Sequence, residues 1–95
     1  MIFTERIKQL REERKLPQRK LAAPLDIDSA TYWKRERGER KAKREQVIAI
    51  AKILNYNKNE LLILWLADKI ITSIGSKKEL KRKVLKVMEK EVNQY

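Results

Sequence analysis

Apolar positions in this chain recur every three or four residues and show no sustained alternation, which predicts helices and no strands. Phe3, Ile7 and Leu10 share one face of a first helix, which Thr4 can cap and which fades near Lys15. Leu16 and Pro17 open a second helix, since proline is tolerated in a first helical turn; Leu21, Ala22 and Leu25 are its stripe. Asp26-Ile27-Asp28 makes a turn in which Ile27 plugs the gap between helices. Asp28 can cap a third helix over about 29–37, and Gly38 stops it, because glycine readily takes the left-handed conformation at a helix end. A fourth helix spans about 44–54, with Val47, Ile50, Ala51 and Leu54 facing inward, and Asn55-Tyr56-Asn57 ends it.

The fifth helix, from Lys58 or Asn59 to Ile74, breaks the amphipathic pattern. Leu61 to Leu66 are apolar around the whole circumference, so they require cover on every side. A chain of 95 residues has little core to spare, which makes Leu61, Leu62, Leu64, Trp65 and Leu66 the expected seam of a homodimer. The competing reading packs them under the last helix of the same chain. After Gly75-Ser76 that last helix carries Leu80, Val84, Val87, Met88 and Glu91 at coiled-coil-like spacing, over fewer than three heptads. The fold class is therefore all-α. Residues 1–74 form a first unit that includes the apolar fifth helix, and 77–95 form a basic amphipathic C-terminal helix.

Charge narrows the partners. The chain holds 24 Lys and Arg against 13 Asp and Glu, a net +11. Such a surplus calls for a polyanion, with nucleic acid favoured over an anionic membrane because the charge is clustered. Residues 34–44 alone hold seven cations and two anions, whereas 55–76 are neutral. There is no Cys and no His, which removes disulfides, zinc fingers, thiol catalysis and imidazole acid–base chemistry. The acidic residues form no close metal-binding cluster, so no metal, cofactor or catalytic residue is expected. The run Leu61–Ala67 is too short to span a bilayer, and Met1-Ile2-Phe3 gives way at once to Glu5 and Arg6, unlike a signal peptide. A cytoplasmic protein is expected, with no membrane and no small-molecule ligand.

The residues Arg6-Ile7-Lys8-Gln9-Leu10-Arg11-Glu12-Glu13, Leu16-Pro17-Gln18, Leu21-Ala22 and Glu36-Arg37-Gly38-Glu39-Arg40, in that order and spacing, resemble the Xre/Cro-like, phage-repressor type of helix-turn-helix domain. The resemblance covers about 4–66 and implies a five-helix repressor-like domain. The long apolar fifth helix also resembles members found as regulators beside restriction–modification or methyltransferase genes. By the family's geometry the third helix enters the major groove of double-stranded DNA. Ser29, Ala30, Trp33 and Lys34 are then the base-reading positions. Lys34 can donate to guanine O6 and N7, and Ala30 can offer its methyl to a thymine methyl. Gln18, Thr31, Arg37, Arg40, Lys41 and Lys43 are the phosphate candidates; Gln18 also stands at a helix N-terminus, where N–H groups favour anions. Arg11 and Glu36 match a pair that forms an interior ion pair in many members.

Three positions depart from the family pattern. Arg35 stands where a core residue is usual, Trp33 where a small or polar one is usual, and Pro24 falls in the last turn of the second helix, where its ring should clash. Either the third helix is rotated so that Trp33 is buried and Arg35 freed, or the sequence is altered at these sites. The expected function is a homodimeric, sequence-specific transcriptional regulator on a near-palindromic operator. The alternative is a protein-interaction module, such as a DNA-binding antitoxin that grips a partner through the fifth helix.

Overall fold

The computed structural model describes residues 2–36, 42–75 and 77–93, without the Arg35 side chain. Among them are six α-helices: α1 (Ile2–Glu13), α2 (Gln18–Ala22), α3 (Ser29–Glu36), α4 (Arg44–Ile53), α5 (Lys58–Ile74) and α6 (Lys78–Asn93), with a 3-10 turn at Ala23–Leu25. No strand occurs in the described residues, and none of their helices is long and apolar enough to cross a membrane. The core is one cluster: Phe3, Ile7 and Leu10 of α1 meet Leu21 and Ala22 of α2, Tyr32 of α3, the Val47–Leu54 stripe, and the first two turns of α5.

Three helix ends use one device. Lys15, Asp26 and Asn55 take left-handed backbone, with φ of 53°, 56° and 52°. Each is followed by an apolar residue whose N–H reaches back five positions: Leu16 to the Arg11 carbonyl (3.1 Å), Ile27 to Ala22 (3.3 Å), Tyr56 to Ala51 (2.9 Å). These are Schellman caps, and Leu16, Ile27 and Tyr56 pack on the core as their hydrophobic contact. Ile27 is thus the plug its turn requires.

The proline conflict disappears in the structure. α2 stops at Ala22, and Pro24 sits in the first turn of the 3-10 segment, where no hydrogen bond is lost. Pro17 stands one place earlier than expected, as the extended residue before α2.

The start of α1 is a second correction. Thr4 does not cap it; the helix begins at Ile2, and Thr4 is buried in its first turn. The cap comes from far along the chain: the Asp68 carboxylate of α5 accepts the Ile2 N–H at 3.0 Å and the Phe3 N–H at 2.8 Å. A carboxylate there satisfies orphan amides and opposes the positive end of the helix dipole.

α5 is capped by Asn57, whose side chain accepts from the Asn59 and Glu60 N–H groups. Its N-terminal turns do not present all five apolar residues outward: Leu61, Leu62 and Trp65 lie in the chain's own core, Leu64 is half-buried, and Leu66 and Ile63 are exposed. Leu61, Leu62 and Trp65 are covered within the chain, chiefly by α1 and α4. α6 packs on α5 but buries none of its side chains.

Candidate nucleic-acid interface

α3 is anchored through its inner face. Tyr32 is 0 % exposed, and Glu36, one turn on, receives a two-pronged ion pair from α1: Arg11 Nε donates to Oε2 at 2.9 Å and Nη2 to Oε1 at 3.2 Å. The remaining Arg11 nitrogen donates to the Leu16 carbonyl at 2.8 Å, so one guanidinium ties together α1, the turn before α2, and α3. Burial, with the Glu36 carboxylate beside it, pushes the Tyr32 phenol well above its ordinary value. Its hydroxyl finds no hydrogen bond of good geometry among the described residues.

At 100° per residue, a helix that buries Tyr32 and Glu36 turns Ala30 and Lys34 the opposite way. Both are exposed, as are Ser29 and Trp33 on one flank; Thr31 on the other flank is half-buried. Trp33 is 44 % exposed, which overturns the rotation that would have buried it. The N-terminus of α3 is fixed by Asp28, whose Oδ1 accepts the Thr31 N–H at 2.7 Å. Thr31, through its side chain and backbone, holds the Asp28 carboxyl below its ordinary value.

Among the phosphate candidates, Gln18 is the half-buried first residue of α2, and Lys43 is exposed immediately before α4. Arg37, Arg40, Lys41 and Gly38 lie outside the described residues. The two ends of that cation-rich stretch are nonetheless fixed. Glu36 is held by Arg11, and the Ala42 carbonyl accepts the Trp65 indole N–H at 3.0 Å. Gln46 adds a half capping box, its Oε1 accepting the Lys43 N–H at 2.9 Å. Trp65, 7 % exposed and covered by the Lys69 ammonium at 3.7 Å from its ring, thus anchors Ala42.

Sequence reasoning overlooked Tyr32, Asp68 and the anchoring role of Trp65. It also passed over Arg19 and Lys20, two exposed cations directly after Gln18 on α2, although their adjacency to a phosphate candidate was a signal.

A family model described as "Helix-turn-helix domain" matches residues 4–64. The chain belongs to this helix-turn-helix family, and the matched span takes in α1 to α4 and the anchored start of α5. Neither the curated proteins nor the solved structures contain a match. Helix-turn-helix domains bind DNA, which makes the exposed face of α3 the candidate base-reading surface.

Proposed function

We propose that this chain is a sequence-specific transcriptional regulator of the Xre/Cro-like kind, acting as a homodimer on a near-palindromic operator. The carrying observation is the outer face of α3, where Ser29, Ala30, Trp33 and Lys34 are exposed on a helix locked from behind by Tyr32 and the Arg11–Glu36 pair. Such rigidity suits base reading, because a recognition helix free to rock discriminates poorly between base edges. Gln18, Thr31, Arg37, Arg40, Lys41 and Lys43 take the phosphates. The protein works without a cofactor, a small-molecule ligand or catalysis, in the cytoplasm.

Selection of bound sites from random duplex DNA tests the reading. The expected result is a site with two-fold symmetry, half-sites about one helical turn (~34 Å) apart, and a log–log salt slope of roughly −5 to −9. Lys34→Ala should relax base preference, whereas Arg40→Ala should weaken all sequences about equally. Binding indifferent to sequence, or a slope shallower than about −2, overturns it. The exposed apolar residues of α5 and α6 favour a second reading, a DNA-binding antitoxin holding a partner protein. Co-purification with a chain of different mass distinguishes it.

A further inference from the structure

α6 carries an apolar stripe that its own chain covers only in part. Leu80, Leu85, Val87, Met88 and Val92 are exposed, Val92 at 71 %, whereas Lys81 and Val84 are half-buried. At 100° per residue these five fall with Lys81, Val84 and Glu91 within less than half of the helix circumference; Lys78, Arg82, Lys83, Lys86 and Lys90, with Glu79, Glu89 and Asn93, occupy the rest. Leu66 and Ile71 of α5 are exposed as well, and a contiguous exposed apolar stripe on a helix implies a partner.

The order of residues along the stripe says which partner. Read outward from Lys86 in both directions, the stripe is complementary to itself: Leu85 answers Val87, Val84 answers Met88, Lys81 answers Glu91, and Leu80 answers Val92. A two-fold axis at Lys86 sets each of these pairs in one layer between two antiparallel helices, as an isologous interface requires. Every one of these layers is then apolar on both sides except the two symmetry-related ones that join Lys81 to Glu91, a cation to an anion. Parallel pairing instead sets Lys81 against Lys81 and Glu91 against Glu91. An anionic membrane answers the basic face but gives no reason for the mirrored order or for Glu91 within the stripe.

We propose that α6 pairs antiparallel with α6 of a second copy, centred on Lys86, with Lys81 of each chain facing Glu91 of the other. This supplies a seam for the dimeric regulator proposed above and places it on α6. Leu61, Leu62 and Trp65 then remain in the monomer core. Because α6 buries no side chain, charge substitutions on it leave the folded core intact, as thermal melting of each variant will show.

The experiment is a charge swap on the full chain, read by sedimentation equilibrium. Lys81→Glu and Glu91→Lys each create two like-charge layers by symmetry. Each should raise the dimer dissociation constant by about 5- to 30-fold, at about 0.5–1 kcal/mol for each of the two layers that change sign of interaction. The double variant Lys81→Glu/Glu91→Lys should recover dimerisation, and an equimolar mixture of the two single variants should form heterodimers. A wild-type chain that stays monomeric at tens of micromolar overturns the proposal, as does a double variant that fails to recover. Partition of a monomeric chain onto phosphatidylserine vesicles overturns it in favour of membrane binding. Sequence-specific DNA binding is scored separately on a single half-site, so failure of the DNA reading leaves the sedimentation result standing.

Discussion

Replacing Arg11 with methionine strands the Glu36 carboxylate. That side chain is 2 % exposed and Arg11's is 12 %, so water cannot take the guanidinium's place. Removing one partner of a buried pair costs about 3–5 kcal/mol. Arg11→Met should therefore lose about 3–5 kcal/mol. Against a total of about 5–15 kcal/mol for a domain, that is a large part of a small fold's margin. Adding Glu36→Leu removes the stranded charge, and the double variant should regain most of the loss. Urea unfolding followed by tryptophan fluorescence measures the two singles and the double. A double variant as unstable as the sum of the singles refutes the view that desolvated charge rather than lost packing sets the magnitude.

Asp68→Ala removes two charge-assisted hydrogen bonds to the start of α1 and should cost about 2–4 kcal/mol in chemical denaturation, with hydrogen exchange accelerated first at the α1 N-terminus. Asn55→Gly relieves left-handed strain and should stabilise by about 0.5–1 kcal/mol, read as a higher melting temperature; a loss would contradict the cap geometry. The Tyr32 phenol is raised in the fold, so above about pH 10 only the unfolded state releases that proton, and stability should fall with rising pH there. Tyr32→Phe should flatten that alkaline loss in urea titrations. Trp65→Phe keeps the ring but frees the Ala42 carbonyl, and should weaken DNA binding at all sequences alike in fluorescence anisotropy, through looser placement of the basic segment.

The helices and their inward faces were legible because local spacing dictates them: Val47, Ile50, Ala51 and Leu54 could only be one buried stripe. The Asp28 cap and the Arg11–Glu36 pair were legible as well, the first from its position before α3 and the second from the family resemblance. What escaped depended on distance along the chain. Nothing near Ile2 announces that its amide is met by Asp68, and nothing near Ala42 announces Trp65. The all-round apolarity of Leu61–Leu66 was real but underdetermined. The earlier helices, chiefly α1 and α4, take up Leu61, Leu62 and Trp65, and only their packing tells that share from the remainder. Pro24 misled for a local reason: a one-residue change from α to 3-10 winding removes its clash, and hydrophobic spacing alone cannot distinguish the two windings.

The contact between Asp68 and the opening amides of α1 also orders events during synthesis. The first helix leaves the ribosome long before its cap has been made: at about 5–20 residues per second, translation from Phe3 to Asp68 takes on the order of 3–13 seconds. Throughout that interval α1 has neither its capping carboxylate nor the α5 surface beneath Phe3, and a lone helix of this length is marginal in water. The nascent chain therefore exposes α3 before its supporting scaffold is locked, and α1 gains its cap only once α5 has been made.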